Sequence, residues 1–91
     1  MDIPNSLFVM VRSRDKTFFN NRVKAISSFN ENGPFDILPQ HANFITIVEN
    51  ESIVVRPLEQ KALTFKFPLA IILTTENKVN IYTYIQPQLD K

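Results

Sequence analysis

The feature that most constrains the fold of this sequence is the alternation of apolar and polar side chains along several short segments. Leu7, Val9 and Val11 share one face of such a segment, and the alternation recurs from Leu63 to Phe67 and from Val79 to Thr83. Alternation of this kind places successive side chains on opposite faces of a strand, and no stretch sustains the spacing of an amphipathic helix. The many Ile, Phe and Thr residues also favour strands, because β-branched and aromatic side chains pack well on a pleated surface. The sequence therefore predicts an all-β fold.

Turn-forming residues interrupt the alternation at short intervals and set the expected number of strands. The segments between them are predicted as strands near residues 7–13, 17–19, 22–29, 35–38, 43–49, 52–57, 61–67, 69–74 and 78–84. Short strands in succession without helices are typical of sandwiches and small barrels. We predict a small antiparallel β-sandwich of about eight to ten short strands. A chain of 91 residues is long enough for one domain. We predict a single domain over residues 1–91, with its core within about 7–84.

Composition and charge exclude several functional classes. Ten Lys and Arg against nine Asp and Glu leave a net charge of +1, which does not favour binding to nucleic acid by bulk charge. The absence of cysteine removes a disulfide framework, a thiolate nucleophile and sulfur-ligated zinc. Glycine-rich phosphate loops need more glycines than the single Gly33. No apolar run exceeds five residues, so no transmembrane helix or signal peptide is predicted.

The one histidine, His41, is the strongest candidate for chemistry, and its sequence context gives that role little support. Asp36 precedes it by five residues and is in principle able to orient the ring. The nearest upstream hydroxyl groups lack the flanking glycine of a nucleophile elbow, and no further metal ligands stand at suitable spacing. We therefore predict no catalytic, cofactor-binding or metal-binding residues. We interpret Glu49 and Glu51 as members of a solvated turn.

The segment from Gly33 to Ala42 is the most informative part of the chain, since it contains two prolines, the only glycine and the only histidine. Pro34 and Pro39 bracket a short apolar strand and restrict the backbone on either side of it. Loops held by a rigid scaffold often carry binding surfaces, so we expect this segment to project from the sandwich as an interaction tip. Ile37 and Leu38 should face opposite ways, with one of them anchored in the core. A stiff connection between two sheets is the alternative interpretation.

At this segment the sequence resembles the N-terminal domain of the epsilon subunit of F-type ATP synthase. The family hallmark reads roughly G-E-F-G-I-L-P-G-H-A-P, and the residues from Gly33 to Asn43 read G-P-F-D-I-L-P-Q-H-A-N. A long hairpin from Phe44 to Pro57 follows in the same order as in the family, and the segment from Asn77 to Tyr82 is similar to the closing strand of that domain. The similarity covers roughly residues 7–84.

The resemblance implies a β-sandwich that serves as a non-catalytic central-stalk subunit of a rotary, proton-translocating ATP synthase. Such a subunit contacts the gamma subunit and the c-ring and couples rotation to ATP synthesis. The resemblance also implies a peripheral position on the cytoplasmic face of the energy-transducing membrane. It implies no membrane insertion, no nucleic-acid partner and no small-molecule substrate. The residues expected at the ring-facing tip are Asp36, Pro39, Gln40 and His41. A free-standing, cytoplasmic protein-binding sandwich that has diverged to another partner is the alternative function.

Departures from the family pattern motivate that alternative. Glycines usual in the family are replaced at Asp36, at Gln40, within Glu49 to Ser52 and at Pro68-Leu69. Because only glycine adopts positive φ freely, these replacements predict changed turns. An acidic residue that contacts the ring in relatives aligns with Pro34. Family members usually continue into a helical hairpin with inhibitory, ATP-sensing behaviour, and the resemblance implies that these properties are absent from a sequence ending at Lys91.

Overall fold

The computed structural model describes residues 6–84, and within them all regular secondary structure is β-strand. The all-β prediction is confirmed. The strands in chain order are β1 (Leu7–Arg12), β2 (Thr17–Asn30), β3 (Gly33–Ile37), β4 (Phe44–Val48), β5 (Ser52–Pro57), β6 (Leu63–Lys66), β7 (Ala70–Thr75) and β8 (Lys78–Thr83).

The 14-residue strand β2 joins the two layers of the sandwich. Its first half pairs with β1, and its second half pairs with β3 on the same side and with β5 on the other. The strand order is β4-β7-β8-β1-β2-β5-β6, with β3 attached to β2. The prediction of two strands separated at Asn20-Asn21 is wrong. These residues pair with Met10 and Val9 of β1, so the ladder accommodates both asparagines and β2 continues through them.

Strands β1 and β8 form a parallel pair, with Phe8 opposite Lys78 and Arg12 opposite Tyr82. The other pairings among the described strands are antiparallel. The parallel pair places the first strand of the chain in the interior of the sheet, between β2 and β8. Alternation in the sequence does not reveal this arrangement, because it indicates the face of each side chain but not the neighbouring strand.

The core is formed by the inward-facing side chains of both layers. Its fully buried apolar residues are Leu7, Val9, Val11, Val23, Ile26, Ile37, Val48, Ile53, Val55, Phe67, Ala70, Ile72, Val79 and Ile81. The predicted inward faces of β1 and β8 are therefore confirmed. Leu63 is exposed instead, because β6 is an edge strand of the sheet. Partly buried phenylalanines surround the core, and the Phe65 and Phe67 rings stack with centroids 6.0 Å apart.

Candidate functional site

The proline-bracketed segment is divided between a strand and a loop. Residues Gly33–Ile37 form β3 and pair with β2, so the predicted projection is confined to the connection from residue 38 to residue 43. Pro34 lies opposite Phe29 on a strand whose only described strand neighbour is β2, and an edge strand tolerates a residue without an N–H. Gly33 has a φ of 112°, a conformation that side-chain-bearing residues rarely adopt, which explains a glycine at this position.

Pro39, Gln40 and His41 lie together in one tight turn at the start of the loop. The His41 N–H donates a hydrogen bond to the Leu38 carbonyl at 3.1 Å, and Gln40 has a φ of 67°. Proline at the second position and positive φ at the third are the features of a type II turn. Gln40 therefore adopts the positive φ that glycine takes freely, without being a glycine. Asn50 in the β4–β5 connection does the same, with a φ of 55°.

Asn77, which the sequence analysis did not select, holds this turn in place. Its side-chain Oδ1 accepts a hydrogen bond from the Gln40 N–H at 2.5 Å, and its carbonyl accepts one from the Phe8 N–H at 2.8 Å. Glu76 and Asn77 both have positive φ in the two-residue connection between β7 and β8. Asparagine tolerates this conformation better than most residues. The available signal was the Glu76-Asn77 pair between two strand-like segments, but its contact with Gln40 spans 37 residues of sequence.

The Ile37–Leu38 pair faces opposite ways, as predicted. Ile37 is fully buried in the core, whereas the Leu38 side chain is 52% exposed. The base of the loop is therefore anchored by one apolar side chain while the next is presented to solvent.

His41 is half-buried and packs against an aromatic pair. Its ring centroid lies 5.3 Å from that of Phe44, and the Phe44 ring lies 5.6 Å from that of Phe35. Nδ1 lies 2.8 Å from the Ala42 carbonyl oxygen, an acceptor, so this contact assigns the proton to Nδ1. The ring is therefore oriented by its own loop.

Asp36 lies apart from the turn on the outward face of β3. Its carboxylate accepts a hydrogen bond from the Ser27 hydroxyl of β2 at 2.6 Å. The structure thus brings Pro39, Gln40 and His41 together and assigns Asp36 to a cross-strand contact. Within residues 6–84, no three His, Asp or Glu side chains are grouped in a way that suits a metal ion. The same residues include no helix with the length and apolarity of a membrane span.

Comparison with known proteins accounts for this architecture. The profile of the family described as the ATP synthase, Delta/Epsilon chain, beta-sandwich domain matches residues 6–84. The chain belongs to this family. The resemblance based on the segment from Gly33 to Asn43 is therefore confirmed. Among curated protein sequences, no significant match was found.

Two solved structures show the same fold as this family member. A chain in the Euglena gracilis mitochondrial ATP synthase, in a structure that includes the c-ring, is 17% identical and superposes with a TM-score of 0.84 over 99% of this chain. A chain in the Tetrahymena thermophila mitochondrial ATP synthase central stalk and c-ring is 10% identical, with a TM-score of 0.71 over 87% of this chain. The present chain spans 59% and 63% of those two chains, respectively.

Proposed function

We propose that this protein is a non-catalytic central-stalk subunit of an F-type ATP synthase, which contacts the gamma subunit and the c-ring and couples rotation to ATP synthesis. The observation that carries the proposal is the family match over residues 6–84. Fold similarity to chains in two ATP synthase structures, both of which contain the c-ring, supports it.

A mechanical role suits the way in which this domain is built. Apolar side chains from both layers form one continuous core, and close-packed protein interiors have low compressibility. A sandwich of this kind transmits torque between two partners with little deformation. Asn77 additionally ties the turn at residues 38–41 to the first residues of β1. A contact made by that turn is therefore coupled directly to the rigid sheet.

We assign the c-ring contact to the loop of residues 38–43 together with Asp36 on the adjacent strand. Gln40 and Leu38 are exposed, and His41 and Pro39 are partly exposed, so the turn presents a mixed polar and apolar surface. Its backbone is fixed by hydrogen bonds before a partner arrives, which reduces the entropy lost on binding.

A second surface is suited to the larger gamma subunit. The outward faces of the neighbouring strands β7, β8 and β1 expose Leu73, Tyr82 and Phe8. The Arg12 and Arg22 guanidinium groups lie over the Tyr82 and Phe8 rings, and aromatic residues and arginine are enriched at protein interfaces. In this arrangement the chain is a peripheral subunit at the energy-transducing membrane, and the resemblance implies its cytoplasmic face.

The assignment is tested by measuring affinity for purified gamma subunit and c-ring from the source organism. We expect His41→Ala and Gln40→Ala each to weaken c-ring binding by about 1–2 kcal/mol, the effect of a moderate interface contact. Glu59→Ala, on the exposed connection between β5 and β6, is the matched control and should bind as the wild type does. Unchanged affinity in both loop variants would remove the loop from the interface.

One sequence feature favours the alternative of a sandwich that has moved to another partner. Pro34, which aligns with the acidic ring contact of relatives, is exposed on β3 and carries no charge. In that case the wild-type chain should bind neither the gamma subunit nor the c-ring in the same assay.

A further inference from the structure

An open groove lies at the opposite end of β3 and β4 from the loop of residues 38–43. It has a volume of about 680 Å³ and is formed by β4, the β2–β3 turn, the β4–β5 turn and the beginning of β7. The Asn30 side-chain amide of β2 donates a hydrogen bond to the Thr46 hydroxyl of β4 at 3.0 Å. Both residues line the groove, so this hydrogen bond fixes its two walls relative to each other.

The apolar floor of the groove is exposed along an unprotected strand edge. Ile45 and Ile47 are 66% and 54% exposed, and Phe29 from β2 faces the same space. β4 pairs with β7 on one side, and the described residues provide no strand on its other side. Proteins commonly protect such edges with Lys, Pro or a bulge. The segment from Phe44 to Val48 contains neither a charge nor a proline, so a free β4 edge is prone to unwanted pairing and benefits from a dedicated partner.

The rim of the groove carries charge of one sign. Glu31 on the β2–β3 turn and both Glu49 and Glu51 on the β4–β5 turn line it, and all three residues are exposed. No Lys or Arg is among the described residues that line the groove. An apolar floor beneath an acidic rim is complementary to a segment that carries apolar side chains and flanking cations.

We propose that this groove binds an extended segment of another protein, apolar at alternate positions and flanked by Lys or Arg, which adds to the sheet along the free edge of β4. The main chain of the added strand pairs with β4, alternate apolar side chains contact Ile45 and Ile47, and the flanking cations approach the glutamates. Strand addition of this kind obtains affinity from main-chain hydrogen bonds and specificity from alternate side chains. The groove shares no lining residue with the loop of residues 38–43.

A second copy of the chain fits this groove less well than a segment flanked by Lys or Arg, because its own groove is also acidic. A symmetric dimer buries the same patch from both copies. Pairing through this groove would therefore bring together six glutamate side chains, three from each rim, without a Lys or Arg among the described lining residues of either copy. Like charges brought together in this way oppose association.

The test uses a fluorescent nine-residue peptide, in which two lysines at each end flank five residues of alternating valine and threonine. We expect saturable binding to the 91-residue chain, weakened about tenfold by raising the salt concentration, because exposed charge pairs are screened. The same peptide with glutamates in place of lysines should not bind. Nuclear magnetic resonance should show the largest amide shifts in β4. Methylation of alternate peptide nitrogens, which removes strand hydrogen bonds, should abolish binding.

Pairs of protein variants distinguish an effect of charge on peptide binding from a loss of the fold. The double variant Glu49→Gln/Glu51→Gln should weaken peptide binding about tenfold. The control double variant Glu59→Gln/Glu76→Gln, at positions outside the groove, should bind the peptide as the wild type does. Ile45→Lys, which adds a charge to the strand edge, should abolish binding while the far-ultraviolet circular dichroism spectrum is retained. Three results would overturn the proposal: no binding of the lysine peptide, dimerisation through β4 in its place, or binding only after residues 85–91 are removed.

Discussion

The loop of residues 38–43 and the acidic groove lie at opposite ends of β3 and β4, and they are held in different ways. In the loop, the backbone N–H groups of Gln40 and His41 have hydrogen-bond acceptors within the domain, and the His41 ring packs on Phe44. Beside the groove, one edge of β4 has no strand partner among residues 6–84, and Ile45 and Ile47 are exposed. A surface with internally satisfied polar groups is preorganised for a fixed contact. An unpaired edge instead gains its hydrogen bonds when a partner arrives.

The largest expected effect comes from loss of the anchor beneath the loop. Ile37→Ala should lower the free energy of unfolding by about 2–4 kcal/mol, because Ile37 is fully buried and the truncation leaves a cavity. Ile45→Ala on the groove side is the matched control. It should change stability by no more than about 0.5 kcal/mol, since its side chain is mostly exposed. Urea denaturation of both variants measures the difference, and equal losses would refute the distinction between an anchored and an open end.

Asn77 provides the next largest expected effect. Asn77→Gly keeps a residue suited to the φ of 65° but removes the acceptor for the Gln40 N–H, and should cost about 1 kcal/mol. Asn77→Ala should cost more, because alanine also disfavours positive φ. Chemical denaturation gives the order of the two variants. Hydrogen exchange at Gln40 should accelerate in both, and an unchanged exchange rate would show that Asn77 does not hold the loop.

Thr74 of β7, which pairs with Phe44 at the loop end of β4, provides a third expected effect. Its hydroxyl is buried and has no hydrogen-bond partner in the described part of the chain. Thr74→Val removes a buried polar group without a partner and should raise the free energy of unfolding by about 1 kcal/mol. Thr75→Val, at the exposed neighbouring position, is the control. A destabilised Thr74→Val protein in thermal denaturation would indicate that the hydroxyl is satisfied.

The smallest expected stability effect belongs to His41. His41→Ala should change the free energy of unfolding by no more than about 0.5–1 kcal/mol, because the ring is partly exposed and its hydrogen bond is to the adjacent carbonyl. Its effect on c-ring affinity should exceed its effect on folding. If the variant unfolds the domain while residual c-ring binding is unchanged, the loop is a structural strut and not an interface.

Much of the fold could be predicted from the sequence, because the alternation of apolar and polar residues within one strand shows which of its side chains are buried. The alternation from Leu7 to Val11 and from Val79 to Thr83 reports directly which side chains enter the core. The continuity of β2 could not be predicted from the sequence, since the strand continues through Asn20-Asn21 only when β1 pairs beside it. The parallel pairing of β1 with β8 is likewise a property of two distant segments.

The candidate site was predictable to a similar extent. Pro39, Gln40 and His41 were predicted from their proximity in sequence and from the resemblance, and they share one turn. The role of Asn77 depends on a contact with Gln40 that only the folded chain creates. Glu49 and Glu51 were interpreted as a solvated turn. Their position with Glu31 on the rim of one groove depends on the meeting of β2 and β4.

The proposed role makes this domain a stalk subunit whose loop of residues 38–43 meets the c-ring. Electron cryo-microscopy of the ATP synthase purified from the source organism tests it most directly. We expect density for this sandwich beside the gamma subunit, with residues 38–41 against the polar loops of the c-ring. An intact and active complex that lacks the chain, or that holds it with residues 38–43 facing solvent, would contradict the proposed role.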